Sequence, residues 1–138
     1  MIEYSFGDVS ENPFCALLEP KVGDVIEVGV DALGLIFYRP SPRVVDMGAA
    51  AEIAADVSAF TTVVGVFVNG SPQEIEEVLA KVHVTCLQFH GDESAMDCER
   101  YGIPYIKTVR MRDSVLPEET ARSHPAARAI LLDSYHSQ

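Results

Sequence analysis

Hydrophobic positions recur in this chain as short apolar runs separated by helix-period stretches. The clearest run covers 32–38, Ala-Leu-Gly-Leu-Ile-Phe-Tyr, with Asp31 before it and Pro40-Ser41-Pro42 after it. A run apolar on both parities suits a strand covered on two sides, as in a parallel sheet. The two prolines bar αR at Arg39 and Ser41. Arg43 is therefore predicted on a stiff loop at a strand's C-terminal end, where parallel α/β sheets and barrels collect ligands.

The same beat continues downstream. Asp46 is an N-cap candidate for an Ala-rich helix over 47–57, and 61–68 reads as a buried strand. Ser71-Pro72-Gln73-Glu74 is a capping-box start with Pro at the first helical position, and Ile75, Val78 and Leu79 share one face of the helix that follows. Strands are predicted at 84–89, 105–110 and 129–133, with helices near 94–101 and 117–123. Upstream, 14–18 could form a short strand and 22–29 a helix closed by Gly29, while 1–13 reads as an irregular segment. Strand and helix alternate about six times at spacings suited to right-handed βαβ units, so the fold class is α/β with a parallel sheet. On physics alone, 138 residues fit a doubly wound sheet better than an eightfold barrel, which typically needs about 250 residues.

Composition narrows the function. Ten basic against twenty-one acidic residues give a formal charge of −11, which argues against nucleic acid and anionic membrane surfaces as partners. No apolar run is long enough to span a bilayer, and no basic-then-apolar leader opens the chain. Three cysteines without a pairing pattern point to free thiols in a reducing, cytoplasmic setting. The histidines and cysteines lack zinc-site spacing.

Four blocks carry a family resemblance: Val30-Asp-Ala-Leu-Gly-Leu-Ile-Phe-Tyr with Ser41-Pro-Arg43; Val64-Gly-Val-Phe-Val-Asn69; Leu87-Gln-Phe-His-Gly-Asp-Glu93; and Ile130-Leu-Leu-Asp-Ser134. In that order and at those separations the chain resembles phosphoribosylanthranilate isomerase. The resemblance implies a (β/α)8 barrel and, here, an incomplete one of about six βα units over 14–138. It implies an Amadori rearrangement in tryptophan biosynthesis, with no cofactor and no metal, on a small phosphosugar–anthranilate substrate. That chemistry asks for an acid to protonate the furanose ring oxygen, a base to take the C2 proton, and a cation for the anthranilate carboxylate.

Carried over by position, Asp133 matches the general acid, a role that calls for a carboxyl shielded from water. Its plainer reading is an Asp that ends a strand. Arg43 matches the substrate-binding arginine, against the alternative of a solvated loop residue. Gln88 and His90 match cavity-facing positions, and alternation puts them on one face with Cys86. Asn69 either lines the site or caps the following helix. Cys86 and Cys98 read as structural. The family's base is a cysteine in a first-strand Lys-Ile-Cys-Gly-Ile-Thr motif. The nearest stretch here is Pro13-Phe-Cys-Ala-Leu-Leu18, so Cys15 is either that base or a buried small hydrophobe.

After Asp133 the family continues through a Gly-Gly-Thr-Gly loop and two further strands that grip the phosphate, where this sequence reads His136-Ser137-Gln138. The expectation is a sheet with two raw edges and an open inner face. A rival to the enzyme reading is then an inactive barrel fragment that works with a complementing fragment or as a homodimer.

Overall fold

The computed structural model describes residues 31–111 and 116–133. The expected strand at 14–18, the helix at 22–29, the irregular 1–13 segment and Cys15 lie outside them. Among the described residues five strands and four helices alternate: β1 (Ala32–Ile36), α1 (Met47–Asp56), β2 (Thr62–Phe67), α2 (Pro72–Lys81), β3 (Cys86–Phe89), α3 (Ala95–Glu99), β4 (Tyr105–Arg110), α4 (Pro117–Ser123) and β5 (Ala129–Asp133).

All pairings are parallel, and the strand order is β1-β2-β3-β4-β5. A doubly wound sheet reverses direction at a switch point. Among the described residues the sheet does not reverse, so the doubly wound alternative is set aside. Each strand adds beside the last, which is how a barrel wall is laid down.

The local signals work as the sequence suggests. Asp46 Oδ1 accepts from the N–H groups of Gly48 (2.9 Å) and Ala49 (3.0 Å), which otherwise lack partners in the first turn of α1. Ser71 and Glu74 cap α2 reciprocally, with Pro72 in its first turn. Ile75 and Val78 of α2 and Ala50 and Ala54 of α1 are buried, in one cluster with Leu33, Leu35, Phe67, Leu87, Phe89 and Tyr105. Burying each large apolar side chain there is worth roughly 1.5–3 kcal/mol. The Phe37 and Phe67 rings stack at 5.4 Å, and Phe89 meets Tyr105 edge-on at 5.9 Å.

Two strand boundaries differ from expectation by more than one residue. β1 stops at Ile36, not Tyr38. Phe37 N–H still donates to Val66 O (3.0 Å), but the Tyr38 carbonyl turns to accept from Ser41 N–H (2.9 Å), as the Pro-Ser-Pro turn demands. β3 starts at Cys86 because Val84 N–H bonds back to Val82 O (2.8 Å). Among the described residues, β1 is also not covered on two sides. Leu33 and Leu35 are buried, whereas Gly34 between them is exposed. The face opposite the helices carries a smaller cluster of Val64, Cys86 and Ile106, flanked by Ala32, Val66 and Leu131.

Candidate functional site at the C-terminal ends of the strands

Register and alternation fix which side chains share the helix-free face. Gln88 pairs with Ile106, Thr108 with Leu131 and Arg110 with Asp133. Partners in a parallel ladder face the same side, so Gln88, His90, Thr108, Arg110 and Asp133 rise on one surface toward the C-terminal ends. Gln88 lies deepest and is buried, and its Nε2 donates to Thr108 Oγ1 (3.3 Å). One residue beyond β3, His90 N–H donates to Phe67 O (2.8 Å), which extends the ladder and holds the imidazole at the rim.

The central contact joins His90 Nε2 to Asp133 Oδ2 at 3.1 Å. Their side chains are 23% and 31% exposed, so the carboxyl is partly wet and not shielded as its expected role asks. What it gains is an imidazole neighbour whose role as donor or acceptor follows the ring's tautomer. Between the two, on β4, Arg110 donates from its guanidinium to the His90 carbonyl (2.9 Å).

Of the residues expected from the sequence, three meet on this surface: Gln88, His90 and Asp133. Arg43 sits in the loop after β1 and is exposed, with its N–H donating to Ser41 Oγ (3.2 Å). That loop is pinned by successive turns and closed by Val45 N–H on Ile36 O (2.9 Å). Asn69 follows β2 with φ of 51°, and its Oδ1 accepts from Asp92 N–H (2.8 Å). It does not cap the next helix, because Ser71 does that. Cys86 and Cys98 are buried free thiols, and burial pushes Cys98 up to about 12.

Sequence reasoning missed Arg110, Thr108 and a buried ion pair behind the rim, Lys107 Nζ to Glu93 Oε2 at 3.2 Å. A signal existed for the lysine. In Tyr-Ile-Lys-Thr-Val-Arg, Lys107 has the parity of Tyr105 and Val109, the helix-facing side, where a cation needs a partner. A cavity of about 280 Å³ opens between the loop after β3, the end of β4 and α4, lined in part by His90, Lys107, Thr108, Arg110 and His124. That is close to the lower bound of about 300 Å³ for small-molecule pockets. Among the described residues no group of His, Cys, Asp or Glu could hold a metal ion. No helix there is long and apolar enough to cross a membrane.

Comparison with known proteins bears on this geometry. Residues 14–138 match the family model of N-(5'-phosphoribosyl)anthranilate (PRA) isomerase. The chain is 48% identical over 109 residues to the N-(5'-phosphoribosyl)anthranilate isomerase of Pseudomonas putida, covering 79% of this chain and 53% of that protein. It is 45% identical over 125 residues to that of Nitrosococcus oceani, covering 90% and 61%. Among solved structures, the phosphoribosyl anthranilate isomerase of Thermus thermophilus superposes with a TM-score of 0.71 at 28% identity, over 81% of this chain and 57% of that one. A phosphoribosyl anthranilate isomerase in complex with reduced 1-(o-carboxyphenylamino)-1-deoxyribulose 5-phosphate gives 0.68 at 32% identity, over 83% and 61%. The chain spans about half the length of the curated relatives it matches.

Proposed function

The chain belongs to the PRA isomerase family, its described strands forming part of a (β/α)8 barrel, and we propose that it works as the family's name describes. It isomerises N-(5-phosphoribosyl)anthranilate to the 1-(2-carboxyphenylamino)-1-deoxyribulose phosphate, a step of tryptophan biosynthesis. The observation that carries the reading is the His90–Asp133 contact of 3.1 Å at the C-terminal rim.

In this reading Asp133 gives its proton to the furanose ring oxygen as the C1–O bond breaks. The anilinic nitrogen lone pair closes the C=N bond of an iminium. A base then takes the C2 proton, and the enolamine so formed tautomerises to the ketone. Cys15 is the base assigned by position. His90 holds the Asp133 carboxyl in place through the 3.1 Å contact. Arg43 takes the anthranilate carboxylate, and a guanidinium presented on a pinned loop suits a planar carboxylate. Gln88 and Asn69 complete the set expected to line the site. A solved family member holds a reduced form of the same carboxyphenylamino ketose phosphate, which supports the substrate class.

We place the activity in the cytoplasm, in keeping with the free thiols of Cys86 and Cys98. A homodimer belongs to the same proposal, since the Thermotoga maritima relative is described as dimeric, and sedimentation of the full chain measures it. The deciding experiment supplies the full chain with the fluorescent aminosugar phosphate and follows the loss of fluorescence. Turnover above buffer that rises with enzyme concentration is expected. A flat trace at high enzyme concentration overturns the reading and favours a fragment that needs a complement.

A further inference from the structure

Three consecutive carbonyls flank and include His90, and each is held by a cation from β4. Lys107 Nζ donates to Phe89 O (3.4 Å) and to Gly91 O (2.6 Å), and Arg110 donates to His90 O (2.9 Å). The third donor of Lys107 goes to Glu93 Oε2 (3.2 Å), which uses its whole ammonium inventory. Glu93 is as fully occupied. Its Oε1 accepts from Asn69 N–H (2.7 Å), and its two oxygens accept from Gly91 N–H at 3.3 and 3.0 Å. Both side chains are only 6% exposed.

An ion pair buried this deeply is not explained by stability. The desolvation it requires is large, and apolar replacements of such pairs are often neutral or stabilising. What this pair does is geometric. It fixes the backbone on both sides of His90 and clamps it to the loop after β2 through Asn69, so the imidazole is carried to the rim on a pinned backbone. We infer that the Lys107–Glu93 pair is the positioning device for the His90 imidazole, setting its contact with Asp133. Lys107 and Glu93 share the cavity lining with His90, but their bonds go to backbone groups and to each other and not to the His90 imidazole or the Asp133 carboxyl, so they act through the His90 backbone. The inference rests on the reading that His90 and Asp133 do the chemistry, but its test does not need turnover.

The test compares imidazole nitrogen–proton correlation spectra of the full chain with those of Asp133→Asn, Lys107→Met and the double variant Lys107→Met/Glu93→Gln. The Asp133→Asn spectrum gives the displacement of the His90 Nε2 resonance when its partner changes. Lys107→Met leaves a buried carboxylate unpaired and is the variant most exposed to misfolding; the double variant removes both charges together. In the double variant, the His90 resonance is expected to move at least half as far as in Asp133→Asn. The Gly91 amide is expected to exchange with solvent at least tenfold faster. A His90 displacement below half of that benchmark overturns the inference, even where the Gly91 amide quickens or the melting temperature falls, because loop loosening alone is what a purely structural pair would give. A chain without isomerase activity leaves this result standing. An active chain with an unmoved imidazole sinks the inference and spares the function.

Discussion

His90 Nε2 and Asp133 Oδ2 meet at 3.1 Å although 43 residues separate them and β4 lies between their strands. Two strands apart in a sheet is roughly 9–10 Å of backbone separation, so both side chains must lean across β4 to touch. Such a contact between elements distant in sequence is hard to account for as a strand-end cap, which would bind its own following turn. It makes the carboxyl and imidazole one unit at the strand ends.

The unit predicts a graded kinetic outcome. Asp133→Asn keeps the shape and removes the transferable proton, so kcat/KM is expected to fall by about 10²–10⁴, the usual range for a general acid. His90→Gln should cost less, because the carboxyl stays. The fluorescence assay on both variants checks the order. Asp133→Asn retaining more than about a tenth of the activity would remove Asp133 from the acid role.

Much of the frame was legible because its signals are local. Asp46, Ser71, Pro72 and Glu74 announce helix starts by chemistry acting within one turn. The apolar runs announce strands by period. The site was legible only where a family block carried it. The Lys107–Glu93 pair escaped because it joins a strand to a loop 14 residues earlier, and no local rule relates the two. Arg110 escaped because a terminal strand Arg reads as solvated, whereas its donor lands on the His90 carbonyl. The doubly wound alternative came from counting residues, and the sheet order, a long-range property, overrules a length argument.

The α2 capping box makes a pH-dependent prediction. Hydrogen bonds from the Ser71 backbone and then its side chain hold the Glu74 carboxyl below its ordinary 4.5. A carboxylate with a lowered folded value contributes stability above its unfolded value and loses it as pH falls through the folded one. Ser71→Ala is therefore expected to cost about 1 kcal/mol at neutral pH. It should also flatten the stability loss below about pH 4.5 relative to the parent chain. Urea midpoints at pH 7, 4.5 and 3 measure both effects. The Ser71 N–H bond survives the substitution, so parallel pH curves for variant and parent would contradict the side-chain share of the Ser71–Glu74 linkage.

Cys98 gives the opposite sign. Burial, and after it the Glu93 carboxylate, raises its thiol to about 12. Its stabilising contribution is full below the unfolded value near 9 and is lost as pH rises toward the folded one. At pH 8 the thiolate fraction in the folded chain is on the order of 10⁻⁴. Alkylation of Cys98 by iodoacetamide, read on its peptide by mass spectrometry, should therefore be at least a hundredfold slower in the native chain than in urea. Equal rates would mean that α3 opens freely, and would count against the packing of Cys98 beneath it.

Gly91 is the position where one added carbon is expected to do most harm. A Cβ there would lie 2.6 Å from Asn69 Cγ and 2.7 Å from Asn69 N, and the second of these is backbone that cannot swing aside. Asn69 is already committed: its N–H is spent on Glu93, its Oδ1 on Asp92 N–H, and its φ of 51° is in the left-handed region. Gly91→Ala must push the loops after β2 and β3 apart. That breaks the Glu93 contacts with both and loosens the backbone beside His90. The expected cost is about 1–3 kcal/mol, typical of overpacking a tight site, seen as a lower urea midpoint with an unchanged slope. If the rim is set by these loops, Gly91→Ala should lower kcat more than its stability loss explains, at temperatures where the variant stays folded. Asn69→Gly in the same background removes the side-chain clash but not the backbone one, so it should recover only part of the stability. Full recovery would place the whole conflict in the Asn69 amide and leave the backbone approach without consequence.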